Sequence, residues 1–180
     1  MGTVLNGNDI AGRIKAQLQQ ERKALQRIPQ LAVLYFNTPT SMVYWFAQRT
    51  AAIALGIGTD PSQMCRWDIT PTELERVIEQ WNGDPLVHGI FVHQPLPLQI
   101  DAQRVSALID PLKDVEGIHP QNSARRFFAK ARIGSCTALA VMELIDATGV
   151  DLAGKEAVIV GHSEIVGRPV SMLLLDRLAT

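Results

Sequence analysis

The chain is expected to fold as an α/β protein with a mostly parallel sheet, followed by the start of a second α/β unit. Short apolar runs at residues 31–36 and 86–92 alternate with stretches of helical periodicity, the pattern of strands buried on both faces between crossover helices. Proline, glycine and asparagine punctuate the joins. Near the C-terminus an apolar tetrad enters a glycine-bearing turn, AVIVGHSEIVG, and then a helical pattern, which outlines a strand, a turn and a helix start.

Ile10, Ile14 and Leu18 recur at i+4, so residues 8–26 read as an amphipathic helix. The run 31–36 after Pro29 is a buried strand. Asn37-Thr38-Pro39-Thr40 turns the chain, and Ser41 is placed to cap a helix to about residue 55, which Gly56 and Gly58 end. Thr70-Pro71-Thr72-Glu73 has the form of a capping box with proline at the first helical position. The helix it opens, 71–81, stops at Asn82-Gly83-Asp84-Pro85, and 86–92 is the next strand. Asp101 caps a short helix that ends before Pro111. A helix over 137–148, a strand at 157–160, a loop at 161–167 and a helix to 178 complete the reading. One strand and one helix do not make a nucleotide-binding domain, so the second domain is expected to be incomplete, with boundaries at 1–134 and 135–180.

Apolar residues make up 47% of the 180 and charged residues 19%, which excludes a disordered chain and allows a well-filled core. Net charge is −1 and the 17 Lys and Arg are scattered, so neither nucleic acid nor a membrane surface is indicated as a partner. The N-terminus has no signal-peptide core, and no run reaches the ~20 apolar residues of a membrane helix. The expected compartment is therefore the cytoplasm. Cys65 and Cys136 read as two buried or half-buried reduced thiols. His88 and His119 lack partners at metal-ligand spacing, and no metal is assigned.

Backbone N–H groups at the helix start after Gly161 can hold a phosphate, and glycine allows close approach. The spacing is not G-x-G-x-x-G, so a structural turn and a phosphate cradle both stand open. The segment 89–122, broken by Pro95 and Pro97, has the character of a loop that lines a site. By residue type alone, Tyr44 is a core aromatic, His93 and His162 are ordinary loop histidines, Cys136 is a packed small residue, and Lys113 with Asp114 is a salt bridge in a turn.

Four ordered motifs go further. They are Gly89-Ile90-x-Val92-x-x-Pro95-Leu96-Pro97-x-x-Ile100-Asp101; Pro111-x-Lys113-Asp114-Val115-x-Gly117-x-His119-Pro120-x-Asn122; Cys136-Thr137; and Gly161-x-Ser163-x-Ile165-Val166-Gly167-x-Pro169. With Ser41 and Tyr44, they resemble the bifunctional methylenetetrahydrofolate dehydrogenase/methenyltetrahydrofolate cyclohydrolase family over nearly the whole chain. The resemblance implies an N-terminal α/β catalytic, folate-binding domain, followed by the start of a Rossmann-like NAD(P)-binding domain that lacks roughly 100 residues by ordinary two-domain sizes. It also implies tetrahydrofolate derivatives as ligands, NADP or NAD as cofactor, and a homodimer.

The implied catalytic positions are Tyr44, Gln48 and His93. Ser41, Tyr44, Pro95, Leu96, Asp114 and Glu116 fall at substrate-binding positions. Thr137, Gly161, His162, Ser163, Ile165, Val166 and Gly167 fall at cofactor-binding positions. Several of these depart from the family pattern. Gln48 stands at the catalytic lysine, His93 at its glutamine partner with Gln94 following, Glu116 at the pterin-binding aspartate, and His162 at a frequent arginine. Ser135 and Ala138 stand where prolines usually flank Cys136-Thr137. Glutamine carries neither a cation nor a titratable proton. The expected activity is therefore oxidation of 5,10-methylenetetrahydrofolate to 5,10-methenyltetrahydrofolate, with hydrolysis to 10-formyltetrahydrofolate weak or lost. The alternative is a catalytically degenerate paralogue acting as a folate-binding or hetero-oligomerising protein.

Overall fold

The computed structural model describes residues 4–127 and 133–180. In chain order the elements are α1 (Gly7–Ala24), β1 (Leu31–Phe36), α2 (Pro39–Ala54), β2 (Gln63–Cys65), α3 (Pro71–Gly83), β3 (Gly89–Val92), α4 (Ala102–Leu108), α5 (Pro120–Phe127), α6 (Cys136–Asp146) and α7 (Gly167–Asp176). They group into two compact units. One is Ala16–Val115, and the other joins Met1–Lys15 to Glu116–Thr180.

The first unit is built on a three-stranded parallel sheet in the order β2-β1-β3. Central β1 is covered on both faces, with Ala32, Val33, Leu34 and Phe36 fully buried. Of these, Ala32, Leu34 and Phe36 join Ile90 and Val92 of β3, Leu74, Ile78 and Trp81 of α3, and Val105 and Ile109 in one cluster. Each large member buried this completely stabilises the fold by about 1.5–3 kcal/mol. Gly89 is required where β3 begins, because a Cβ there would lie 2.5 Å from Val115 Cγ1 and 3.3 Å from Leu31 Cδ1. The pairing runs past β3, since His93 N–H donates to Leu34 O at 2.9 Å. On its other edge β3 meets the 110–114 turn, where Ile90 N–H donates to Lys113 O at 2.7 Å.

Side-chain caps set the starts of α2, α3 and α4. Thr70 and Glu73 form the expected capping box. Asp101 accepts from the N–H groups of Gln103 and Arg104. At α2 the cap is Thr38, whose Oγ1 accepts from Ser41 N–H at 3.3 Å. Ser41 is not the cap as expected, because its hydroxyl turns inward. The far end of α2 is held by α1, where Arg22 Nε donates to Gly56 O at 2.8 Å and Gln19 Nε2 to Ala54 O at 3.1 Å. Of the α1 stripe only Ile10 is buried; Ile14, Leu18 and Leu25 stay partly open. Strand β2 escaped the sequence reading because only Cys65 of its three residues is buried. Helix α5, with proline at its first position, also went unread.

Lys113 is a helix terminator and not half of a turn salt bridge. Its Nζ donates to the carbonyls of Trp81 (2.8 Å), Asn82 (2.8 Å) and Asp84 (2.7 Å). All three ammonium protons are thereby used at the negative end of α3.

In the second unit, Ala138 and Met142 of α6 pack with Val170 and Leu174 of α7. The strand expected at 157–160 does not form. Val158 and Val160 are 90% and 99% exposed, and among the described residues no strand lies alongside. A strand needs neighbours to complete its ladder. Here, among the described residues, the pairing of this kind is with the backbone of Thr180, through Ala157 N–H to Thr180 O at 2.7 Å and Thr180 N–H to Lys155 O at 2.8 Å. Among the described residues no helix is long and apolar enough to cross a membrane.

Replacing Lys113 with Met keeps the stem and removes the three charged hydrogen bonds. The expected loss is about 2–3 kcal/mol, read as a lower urea midpoint at unchanged slope.

Candidate active site

In parallel α/β sheets, ligands collect at the carboxyl ends of the strands. Here those ends are Phe36 of β1 and Val92 of β3, and the first two turns of α2 lie over them. Period-2 alternation puts Phe91 and His93 on one face of the β3 strand, and their rings meet edge to face at 5.6 Å. On α2, Ser41, Tyr44 and Gln48 lie on one face at i, i+3 and i+7. Helix and strand end face each other, and a hydrogen-bonded chain runs between them.

Its links are short. Phe36 N–H donates to Ser41 Oγ at 2.9 Å. Ser41 Oγ lies 2.8 Å from His93 Nδ1, and His93 Nε2 lies 2.7 Å from Gln48 Oε1. His93 is 1% exposed, and burial pushes its imidazole down from 6.5 to about 4. It is therefore neutral near pH 7. Tyr44 is half exposed, not a core aromatic, and its ring lies 4.9 Å from His93 and 6.2 Å from Phe91. Behind them Tyr35 stacks on Trp45 at 4.7 Å. Phe91 and Tyr35 escaped notice in the sequence, although strand alternation at 91 and 93 was a usable signal for the first.

The loop after His93 begins with a cis Gln94–Pro95 bond. Pro95 is exposed, while Leu96 packs on the core cluster. Asp114 is fully buried, at the bridge to Ile90. Glu116 is half buried and belongs to the second unit. Cys65 is buried, and that burial, with the Glu73 carboxylate adding to it, pushes its thiol up to about 11. Cys136 is exposed at the start of α6, contrary to the packed thiol expected.

In the second unit the turn 161–167 folds back on itself. A Cβ on Gly167 would lie 2.8 Å from the carbonyl carbon of Gly161, so glycine is obligatory there. Ser163 Oγ accepts from Val166 N–H and Gly167 N–H, each at 3.2 Å, and Ser163 O accepts from Arg168 N–H at 3.0 Å. Gly161 (φ 127°), His162, Ser163 and Ile165 are exposed. Ser135 is buried, and its hydroxyl donates to Ile165 O, tying α6 to this turn; Thr137 is exposed on the same helix. An open glycine turn feeding the N-terminus of a ten-residue helix suits an anionic phosphate. The N–H groups of Val166 and Gly167 are already taken by Ser163.

Residues 5–116 match the family model for the tetrahydrofolate dehydrogenase/cyclohydrolase catalytic domain. The chain belongs to this family. Residues 135–180 match the model for the family's NAD(P)-binding domain. A relative from Geobacter sulfurreducens, the bifunctional protein FolD 2, is 43% identical over 188 residues, covering 100% of this chain and 64% of that protein. The crystal structure of the bifunctional enzyme FolD, methylenetetrahydrofolate dehydrogenase/cyclohydrolase, from Campylobacter jejuni superimposes with a TM-score of 0.93 at 36% identity, over 99% of this chain and 64% of that one. The Trypanosoma brucei methylenetetrahydrofolate dehydrogenase-cyclohydrolase, complexed with NADP and an inhibitor, gives 0.92 at 32% identity, over 99% and 63%. The chain thus spans about 64% of the length of these relatives.

Because His93 is buried neutral, the unfolded chain takes up a proton near pH 6.5 and the folded chain only near 4. Its contribution to stability is complete above about pH 6.5 and is lost as pH falls towards 4. The total is on the order of 3 kcal/mol. Urea unfolding across this range should show a loss in the wild type that His93→Gln does not share. Parallel pH dependence in the two proteins would contradict a buried neutral imidazole.

Proposed function

We propose that this protein oxidises 5,10-methylenetetrahydrofolate to 5,10-methenyltetrahydrofolate with NADP or NAD, and that onward hydrolysis to 10-formyltetrahydrofolate is weak or lost. The supporting observation is the half-exposed Tyr44 ring beside two hydrogen-bonded neutral side chains, Gln48 and His93. In this reading residues 1–134 form the folate-binding catalytic domain and 135–180 begin the NAD(P)-binding domain. The working state is a cytoplasmic homodimer.

The chemistry follows from what these groups can do. NADP or NAD, when bound, accepts the hydride. Tyr44 offers a flat face to a planar heteroaromatic ring, with Pro95 and Leu96 in the adjoining loop. By the family pattern, Asp114 and Glu116 are assigned to the substrate, and Thr137 and the turn from Gly161 to Gly167 to the cofactor. Hydride transfer depends mainly on positioning, which a neutral amide at 48 still supplies. Loss of hydride leaves a cationic folate, and a neutral Gln48–His93 pair accepts it without like-charge repulsion.

Hydrolysis instead needs an activated water. Gln48 has no titratable proton, and His93 has both ring nitrogens engaged. Neither is available as a general base near neutrality.

Titrating 5,10-methylenetetrahydrofolate with NAD(P) while following reduced nicotinamide tests the proposal. Binding without turnover favours the folate-binding alternative. Gln48→Lys should raise hydrolysis of methenyltetrahydrofolate by at least roughly tenfold, and no gain would sink the assignment of position 48.

A further inference from the structure

We infer that Ser41 is a positioning residue that locks His93 in its Nε2–H tautomer and, through it, fixes which way the Gln48 amide faces. A neutral imidazole carries one N–H and one bare nitrogen. Gln48 Oε1, 2.7 Å from Nε2, can only accept, so Nε2 carries the proton and Nδ1 is bare. Ser41 Oγ lies 2.8 Å from that bare nitrogen and therefore donates its O–H to it. The same oxygen accepts Phe36 N–H at 2.9 Å, so its proton is free to be given.

The polarity then runs one way: Phe36 N–H to Ser41, Ser41 O–H to His93, His93 N–H to Gln48. The backbone N–H at the end of β1 occupies one lone pair of Ser41 Oγ, and in the reverse polarity the serine proton would need another acceptor. Tyr44, Phe91 and Tyr35 surround the imidazole, with rings at 4.9, 5.6 and 6.1 Å, and His93 is 1% exposed. Water therefore has little access to supply another donor. With Oε1 committed to His93, the Nε2 amide of Gln48 faces away from it and presents two donors beside Tyr44. Ser41 is thus engaged inward, and its part in the reaction is indirect.

The use of these donors rests on the folate reading above; the tautomer does not. The chain has four histidines, so proton–nitrogen correlation spectra of the isotope-labelled 180-residue protein resolve four imidazoles. His93 is assigned by its loss in His93→Gln. At neutral pH, His93 should show a protonated Nε2 and a bare Nδ1. Ser41→Ala should give a mixture of tautomers and move the Gln48 side-chain amide signals, and Ser41→Thr should restore the single form. A protonated Nδ1 in the wild type, or an unchanged single tautomer in Ser41→Ala, overturns the inference. If Ser41→Ala does not fold, the wild-type and Ser41→Thr spectra decide it. Where turnover is measurable, Ser41→Ala should lower kcat about tenfold with KM held within about twofold. Absence of turnover in the wild type would count against the folate reading and leave the tautomer result standing.

Discussion

The site depends on the parallel pairing of β1 with β3. This pairing sets Leu34 against Val92 and continues through His93 N–H to Leu34 O, which fixes the height and facing of the imidazole. A one-residue slip would turn His93 to the opposite face and leave Ser41 and Gln48 without their central partner. The register is held by burial of Leu34, Phe36, Ile90 and Val92. It is also held by the close approach at Gly89, where no side chain fits against Val115.

From that register the polar chain follows with little freedom. The first turn of α2 is stapled to the end of β1 by Phe36 N–H and Ser41, and Thr38 rather than Ser41 supplies the cap. Capping was the ordinary use of a serine at that place, but the helix needed only one cap. The Ser41 hydroxyl was left to face a buried imidazole that required a partner, since an unpaired buried polar group costs more than a hydrogen bond contributes. Gln48 and His93 therefore fit each other as a pair. Each supplies what the other requires, a neutral acceptor for a neutral donor.

The second unit shows the same physics where neighbours are few. Residues 157–160 have strand composition and, among the described residues, no ladder beyond the contact of 155–157 with Thr180, so their valines stay open. The turn that follows is nevertheless specific. Gly167 packs against the Gly161 backbone, and Ser163 satisfies the first N–H groups of the next helix. Local hydrogen bonds shape this turn, with no sheet beside it among the described residues.

The sequence by itself determined the α/β alternation, the span of β1, the Thr70–Glu73 capping box, the Asp101 cap and the motifs that place the chain in its family. These are local signals, in which hydrophobic period, a capping residue or a fixed spacing lies within a few positions. Only the tertiary structure decided that Ser41 turns inward, that Lys113 ends α3 from about thirty residues away, that β2 forms at all, and that the tetrad at 157–160 does not pair as a strand. It also decided that His93 is neutral and joined to Gln48 across 45 residues of sequence. The partners in these cases are distant in the chain, and a polar side chain's role is set by which donor or acceptor folding brings to it.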